Sequence, residues 1–350
     1  MDQFVCVRLV QANAMDLSLF QFDYDLTFAV IMMNADRTVY GRYGSRSSRQ
    51  ADRDISLEGF AAALAGAMQL HAAYPANKSS LAGKQPVPTH YKSPDDFPSL
   101  RGKFKSTLDY EGKVVQSCMH CHQIRDAHRA VFRTAGKPIP DKLLFPYPSP
   151  QVLGLTLDPQ TKATVKTVAA NSVAAQHGMV PGDEIVALND QPILSSADVQ
   201  WVLHNTQAGP LVVRVQRGGQ PKELTIPLEK DWRRASDISW RVSSWPLRRM
   251  GLGGLVLDSM TLAERRDVNL DVKAMALRVK HVGQYGAHAV AKHAGIRKGD
   301  ILIGFGDLHE DMTESQLLAY TAQHTTPNQH VPLTIMREGK SVDVVLKMQD

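Results

Sequence analysis

Two stretches decide how this chain folds: AAQHGMVPGDEIVALND at residues 174–190 and AKHAGIRKGDILIGFGD at residues 291–307. Their shared positions are, in pairs 117 residues apart (295 − 178), Gly178 and Gly295, Gly182 and Gly299, and Asp183 and Asp300. Glycine adopts the positive φ of a tight turn at no steric cost, and the apolar residues after each aspartate indicate a buried strand. A repeat longer than about 100 residues indicates duplicated domains and not a solenoid.

The sequence around each turn predicts the same order of elements. A helix is predicted in SSADVQWVLHNT (195–206) and again in TESQLLAYTAQH (313–324). A strand, a glycine turn and a second strand follow in LVVRVQRGGQPKELTIPL (211–228) and in VPLTIMREGKSVDVVLKM (331–348). We therefore expect an α+β multidomain protein that contains two related domains.

The first copy, VLGLTLD followed by ATVKTVAANSVAAQHGMVPGDEIVALND, resembles a PDZ domain of the bacterial kind, as in periplasmic trypsin-like heat-shock proteases. The resemblance covers residues 150–229 (the first copy) and, more divergently, residues 250–349 (the second copy). It implies two PDZ-like β-sandwich or barrel domains. It also implies that an extended peptide adds as a strand beside a helix, with its terminal carboxylate on the backbone N–H groups of a glycine loop.

The resemblance assigns the peptide-binding residues of each copy. The carboxylate loops would be Leu153, Gly154, Leu155 and Thr156 in the first copy, and Leu252, Gly253, Gly254 and Leu255 in the second. The side-chain pockets would be formed by Val199 and Val202 on the first helix and by Leu317 and Leu318 on the second. The alternative is that these apolar helix residues belong only to the core. The insertion SMTLAERRDVNLDVKA (259–274) interrupts the second copy between its loop and its next strand.

A motif for a serine protease nucleophile is not found in the sequence. PDZ proteases of this kind carry a serine nucleophile in a glycine-flanked motif, with histidine and aspartate upstream. Neither Gly-x-Ser-x-Gly nor Gly-Asn-Ser-Gly-Gly occurs in the 350 residues. This observation favours binding of peptide or protein C-termini without proteolysis.

The stretch VVQSCMHCHQIRDAHR (114–129) contains two of the three cysteines of the chain. Cys118, Cys121 and His122 form Cys-x-x-Cys-His, the attachment signature of haem c, in which both thiols bind the porphyrin and the histidine ligates iron. His128, His90 and His120 are candidates for the second axial ligand. Three alternatives remain open: a redox dithiol of Cys118 and Cys121 at a helix N-terminus, a zinc site that includes His122 and His128, and no chemistry. Cys6 is expected to be a small buried hydrophobe.

The first 75 residues predict a small α/β segment. VCVRLV (5–10) favours a strand, DLTFAVIMMNADRTVYGRYG (25–44) a hairpin, and the stretch after Ser56 a capped helix. This order resembles the later half of a thioredoxin fold, without a preceding Cys-x-x-Cys and with Asp25-Leu26-Thr27 where thioredoxins carry a cis-proline. With SCMHCHQ and the repeats, it resembles a bacterial thioredoxin-like/PDZ (seleno)protein family, which implies a cell-envelope redox protein. We expect an active-site half upstream of Met1; the alternative is a complete, smaller α/β domain.

Composition places the remaining boundaries. The predicted segments are a partial thioredoxin-like domain (1–75), a linker (76–100), a helical Cys-x-x-Cys-His segment (101–136), a proline-rich connector (137–149), PDZ domain 1 (150–230), a linker (231–249) and PDZ domain 2 (250–350). Three cysteines exclude a disulfide-stapled scaffold. No apolar run is long enough for a transmembrane helix, and no signal peptide is visible, so a periplasmic location requires an upstream export signal. The basic group at 232–250 is expected to be a solvated linker, so no nucleic-acid partner is predicted.

Together these patterns predict a non-proteolytic PDZ scaffold that binds C-termini and is coupled to a redox Cys-x-x-Cys-His centre carrying haem c. The alternative is a thiol–disulfide oxidoreductase or redox sensor that uses Cys118 and Cys121, with the PDZ domains recruiting its substrate.

Overall fold

The computed structural model describes residues 3–350, so Met1 and Asp2, at the start of the predicted thioredoxin-like segment, lie outside the described residues. The chain divides into two compact units. Unit 1 comprises the chain up to Ile124 together with Phe145–Asp237, and unit 2 comprises Arg125–Leu144 together with Ile238–Asp350. Both helices and sheets are present, so the prediction of an α+β multidomain protein is confirmed. No helix among residues 3–350 combines the length and the apolar character needed to cross a membrane.

The N-terminal part of unit 1 contains one hairpin and one long helix, as the sequence predicted. Strands β1 (Val30–Met33) and β2 (Val39–Tyr43) pair antiparallel. Helix α1 (Leu57–Ala72) begins after Ser56, whose side chain accepts a hydrogen bond from the Gly59 N–H. Such a cap satisfies one of the backbone donors that a helix start leaves open.

The other thioredoxin-like features are not found in this segment. Residues 5–10 form no strand, and Val5 is 95% exposed. The sheet has two strands, where a thioredoxin-like sheet would need more. Cys6 is exposed, so its prediction as a buried residue is wrong. A run of β-branched residues favours a strand only if a partner strand satisfies its backbone, and residues 5–10 have none among the described strands.

The two predicted linkers and the connector are packed segments. Leu81 and Phe97 are fully buried in the first linker. The connector holds Ile139 and Leu144, also fully buried, and the latter ends a short helix. In the second linker Arg241 and Arg248 are buried, so the basic group is not a solvated surface. Proline prevents a regular ladder of hydrogen bonds but does not prevent burial of the side chains around it.

The middle of the chain forms three helices: α2 (Val114–Ser117), α3 (Cys121–Thr134) and α4 (Asp141–Leu144). The boundary between the units falls inside α3, after Ile124. In unit 2, the Arg129 guanidinium donates to the carbonyl of Leu143, and Arg133 donates to the carbonyls of Thr325 and Gln349. Through Arg133 the start of unit 2 is bound to its end.

The first copy lies wholly in unit 1. Its elements are β3 (Leu155–Leu157), β4 (Val165–Val168), α5 (Val173–Gln176), β5 (Glu184–Leu188), β6 (Gln191–Pro192), α6 (Ser196–Asn205), β7 (Gly209–Arg217) and β8 (Gln220–Leu228). Strands β3 and β4 pair with each other, and the other four form a sheet in the order β6-β5-β7-β8. One core of buried aliphatic side chains and Trp201 lies between these sheets and α6.

The second copy lies in unit 2. Its elements, with the helix that precedes them, are α7 (Ser244–Leu252), β9 (Leu255–Ser259), α8 (Leu262–Asp267), β10 (Leu277–Val282), α9 (Val290–His293), β11 (Ile301–Phe305), α10 (Glu314–His324), β12 (His330–Arg337) and β13 (Lys340–Lys347). The strands form one sheet in the order β13-β12-β11-β10-β9. The predicted insertion is ordered: α8 has a capping box of Thr261 and Glu264.

The duplicated turn has the same construction in both copies. Gly178 and Gly182 have φ of 83° and 91°, which fits the glycine requirement. Asp183 has no exposed side-chain surface, and Arg217 donates to both of its carboxylate oxygens at 2.6 and 2.7 Å. Arg337 holds Asp300 in the same way at 2.8 and 2.6 Å. Burial by itself raises the pKa of each aspartate, but the arginine and a backbone N–H outweigh it, so both pKa values lie below the ordinary one.

Candidate functional site

A cleft in unit 1 lies between strand β3 and helix α6 of the first copy. Its enclosed volume is about 30 Å³, within about 350 Å³ of empty space that is partly open to solvent. Three walls surround it: the strand with the turn before it, the first half of the helix, and a loop from the N-terminal part of unit 1. The lining residues are Ser45, Arg46, Ser47, Asp54, Ser149, Pro150, Gln151, Leu155, Thr156, Leu157, Ser196 and Gln200.

The strand wall begins at the predicted carboxylate loop. A 3₁₀ turn, Pro150–Leu153, ends at Gly154, which is left-handed with φ of 85°. A Cβ added to Gly154 would lie 2.1 Å from the Cβ of Ser172, so no other residue fits without displacement. The side chains of Leu153 and Leu155 are buried and hold the loop to the core. Leu155 and half-buried Thr156 both line the cleft.

The edge of β3 that faces the cleft is the one that could accept a further strand. Strand β3 pairs with β4 in a two-stranded sheet, with Leu155 opposite Val168. Within the described part of the chain no strand pairs with its other edge. A strand edge presents a row of backbone N–H and C=O groups, which is what an added peptide strand requires.

The helix wall corrects part of the sequence analysis. Ser196 and Gln200 line the cleft, and they share a face of α6 because they are four residues apart. Val199 and Val202 are 0% and 1% exposed and belong to the core, so they do not line the cleft. Leu317 and Leu318 in the second copy are fully buried too. The apolar face of each helix is therefore its core face, as the alternative held.

The third wall is the loop from Ser45 to Asp54, and no sequence pattern predicted its position here. The Ser45 hydroxyl donates to the Asp54 carbonyl at 3.0 Å, and the Ser47 N–H donates to the Asp54 carboxylate at 2.5 Å. Arg46 donates to the Ser48 carbonyl at 2.7 Å. The Gln151 side chain reaches the Ser47 hydroxyl at 3.5 Å and so connects this loop to the strand wall.

The opposite face of α6 is fixed by buried charges. Asp198 accepts hydrogen bonds from the N–H groups of Arg42 and Leu194, both at 3.0 Å, and its carboxylate lies 2.7 Å from Lys84 Nζ. Lys84 and Asp198 are each 1% exposed. Burial lowers the pKa of Lys84, against the opposing effect of Asp198, and lowers the pKa of Arg42 to about 10. The Arg42 guanidinium also lies over the Trp201 ring, 3.5 Å from its centroid.

The second half of α6 is covered, so the cleft is short. The Tyr147 ring stacks on His204 with centroids 4.1 Å apart. Gln200 Nε2 donates to the Tyr147 carbonyl at 3.3 Å. The open part of the cleft is therefore the stretch from Ser196 to Gln200.

In the second copy the corresponding space is bridged by the protein itself. Glu314, the first residue of α10, accepts a hydrogen bond from the Leu257 N–H of β9 at 2.9 Å. Its carboxylate also binds Arg248 through Nε at 2.9 Å and Nη2 at 2.5 Å, and both side chains are buried. The predicted loop there has positive φ at Gly253 (59°) and Gly254 (89°), while Leu252 and Leu255 are fully buried. A strand N–H that an added peptide would need is already bound.

The Cys-x-x-Cys-His stretch is not one continuous helix, although a helical segment was predicted at 101–136. Cys118 is extended (φ −90°, ψ 123°), and α3 starts only at Cys121. Both thiols are half-buried and not bridged. Burial raises the pKa of Cys121, which disfavours its thiolate. The Met119 N–H between them donates to Asn13, a buried residue of the N-terminal part.

Cys118 thus precedes the helix on which Cys121 and His122 lie. Burial and the neighbouring Arg125 and Arg129 lower the pKa of His128 to about 4. Across residues 3–350 no group of three or more His, Cys, Asp or Glu side chains could hold a metal ion. The zinc alternative is not supported, and haem attachment, with His128, His90 or His120 as a second ligand, stays a prediction.

Comparison with known proteins identifies the first copy. Residues 151–228 match the family described as PDZ domain. A protein named "Probable periplasmic serine endoprotease DegP-like" from Pseudomonas savastanoi pv. phaseolicola is 24% identical over 198 residues, which are 55% of this chain and 39% of that protein. A protein of the same name from Halomonas elongata is 25% identical over 203 residues, 55% of this chain and 38% of its own length. The match thus spans about two fifths of the length of these relatives.

Two solved structures that are similar to parts of this chain are described as containing a peptide ligand. One is described as the HtrA3 PDZ domain bound to a phage-derived ligand (FGRWV); it is 28% identical and covers 22% of this chain and 64% of its own, with a TM-score of 0.19. Another is described as the HtrA-type protease AlgW with decapeptide; it is 11% identical, covers 40% of this chain and 50% of its own, and has a TM-score of 0.24.

These findings confirm a PDZ domain and correct the predicted function. The relatives are named periplasmic serine endoproteases, not redox or haem proteins. The prediction of a non-proteolytic scaffold with a redox haem centre is therefore wrong, and its thiol–disulfide alternative gains no support from them. The thioredoxin-like resemblance is likewise not supported.

Proposed function

We propose that the first copy binds the C-terminal segments of peptides in the cleft between β3 and α6, as the peptide-recognition part of a protease-type system in the periplasm. The observation that carries this proposal is the edge of β3, which lies opposite α6 in an open cleft that starts at the left-handed Gly154. The match of residues 151–228 to PDZ domains supports it. The periplasmic location rests on the names of the relatives.

Each wall of the cleft has a separate role in the proposal. The peptide backbone would pair with the edge of β3, which provides affinity without regard to sequence. The loop at Gly154 would receive the terminal carboxylate, because backbone N–H groups around a left-handed glycine form a concave anion site. The helix face at Ser196 and Gln200 would contact alternate side chains of the peptide, since successive side chains of a strand point to opposite faces.

The second copy would have a different role in the same protein. Its Leu257 N–H is bound to Glu314, and breaking that bond would leave a buried carboxylate and Arg248 with fewer partners. We therefore expect binding of one peptide per chain.

The test uses the full chain and a set of fluorescent peptides of varied sequence, each made with a free and with an amidated C-terminus. We expect titration by fluorescence anisotropy to show binding of free C-termini, with a stoichiometry of one, and loss of binding on amidation. Ser196→Trp should abolish binding, because the indole would fill the cleft. Gln220→Trp on the exposed start of β8 is the matched control. Equal binding by native protein and Ser196→Trp would refute the site.

A further inference from the structure

We propose that the loop from Ser45 to Asp54, which lies outside the PDZ domain, determines which peptide the cleft accepts, and that it selects small polar side chains. This inference rests on the proposed peptide binding. It adds a recognition element that the PDZ fold by itself does not contain, because the loop belongs to the N-terminal part of unit 1.

The chemistry of the cleft is the first argument. Five of its lining side chains carry hydroxyl groups: Ser45, Ser47, Ser149, Thr156 and Ser196. A hydroxyl donates one hydrogen bond and accepts others, so it can pair with a serine, threonine or asparagine side chain. The Ser45 hydroxyl already donates to the Asp54 carbonyl. An aliphatic or aromatic side chain in the cleft would remove the hydroxyls of Ser47, Thr156 and Ser196 from water without replacing their hydrogen bonds with water, which is unfavourable.

The size of the cleft is the second argument. The enclosed volume of the cleft is about 30 Å³, well below the usual ligand-pocket range of about 300–1,000 Å³. Tyr147 covers helix α6 beyond Gln200 and so limits the length of the cleft. A small side chain fits such a space better than an aromatic one.

The fixed position of the loop is the third argument. Asp54 holds both Ser45 and Ser47, and the Tyr43 hydroxyl donates to the Ser56 carbonyl at 2.6 Å just beyond the loop. Strand β2, from which the loop leaves, is bound to α6 through the Arg42 N–H and Asp198. The loop is therefore held at a set distance from the helix, and a wall that is already ordered loses little entropy when a ligand binds.

Ser47 is the residue through which the loop can be tested. It is half-buried, it lines the cleft, and its hydroxyl makes one long contact, with Gln151 at 3.5 Å. Ser48, the next residue, does not line the cleft and accepts a hydrogen bond from the Gln50 N–H instead. Ser48→Ala is thus a control in the same loop with the same chemical change.

The experiment compares threonine with valine, which have nearly the same shape, at each of the last four positions of one binding peptide. With the full native chain we expect the threonine peptide to bind roughly two- to tenfold more tightly than the valine peptide at one position at least, the value of one net hydrogen bond. Ser47→Ala should bring this ratio close to one, because the threonine peptide loses a hydrogen bond and the valine peptide no longer covers an unsatisfied hydroxyl. Ser48→Ala should keep the ratio.

The outcomes separate the two proposals. If no peptide binds to any variant, the proposed function itself fails. If peptides bind but no position distinguishes threonine from valine, or if Ser47→Ala leaves the ratio as it is, the loop does not select the ligand and this inference is refuted. Circular dichroism of each variant confirms that it is folded.

Discussion

The buried charges behind helix α6 give the most demanding test of the structure. Asp198 is the only carboxylate in contact with Lys84 in the described contacts, and it also accepts the N–H groups of Arg42 and Leu194. Asp198→Asn leaves the Lys84 ammonium buried beside Arg42 without a counter-charge. Breaking a buried pair in this way typically costs about 3–5 kcal/mol of unfolding free energy.

The reverse substitution should be less costly. In Lys84→Met the carboxylate keeps two backbone donors and the positive charge of Arg42, so we expect a loss of about 1–3 kcal/mol. In Lys84→Met/Asp198→Asn the unpaired ammonium is gone as well. The double variant should therefore be more stable than Asp198→Asn alone, and the two costs should not add.

Hydrogen exchange at the Trp201 indole N–H measures these effects where they arise. That group donates to the Gly83 carbonyl at 2.9 Å, within the same unit. Exchange of a single group reports the opening of its own surroundings and needs no two-state assumption for the whole chain. Glu223→Gln, which breaks the exposed pair with Arg214, is the control and should change protection by less than about 1 kcal/mol. Additive costs, or a loss under about 1 kcal/mol for Asp198→Asn, would refute the reasoning.

Three further predictions follow from the buried carboxylates. Arg217→Leu should destabilise unit 1 by about 2–4 kcal/mol in urea unfolding, because Asp183 stays buried without its partner; an unchanged midpoint would contradict this. Because the pKa values of Asp183 and Asp300 are lowered, their contribution to stability should be complete above the ordinary pKa of 3.8 and lost as the pH falls through the lowered values. The urea midpoint should therefore be lower at pH 2.5 than at pH 5. This difference between the two midpoints should be smaller in Asp183→Asn. Glu314→Gln should lower the unfolding free energy of unit 2 by about 3–5 kcal/mol, because the buried Arg248 loses its counter-charge. The anisotropy titration of this variant should still show one peptide per chain.

The repeated turn could be predicted because its residues are dictated by local geometry. Only glycine tolerates the positive φ at Gly178 and Gly182 without strain, so the two glycines in the sequence directly indicate the turn. The arginines that hold the aspartates were missed, although one signal was present: Arg217 and Arg337 both stand directly before the turn of the last hairpin. An alignment of the two copies would have revealed them.

The cleft was only half predictable for a different reason. Gly154 was identified from its motif, but Val199 was assigned to the groove because apolar character alone does not say which face of a helix meets the core. Ser47 and Gln151 are about a hundred residues apart in the chain, and no local pattern connects them. Proline-rich composition likewise suggested linkers where Leu81 and Leu144 are fully buried, because composition reports backbone preference and not tertiary contacts.

The interleaving of the two units has a consequence for how the chain can be made and cut. Residues up to Ile124 share a unit with Phe145–Asp237, so unit 1 cannot complete its folding until Asp237 has been synthesised. At a synthesis rate of about 5–20 residues per second, the rest of unit 1 is completed on the order of ten seconds after its N-terminal part. A fragment trimmed to residues 150–230 would lose Lys84 and Gly83, and with them the partners of Asp198 and Trp201. The smallest piece with an intact cleft therefore has to contain both the N-terminal part of unit 1 and Phe145–Asp237.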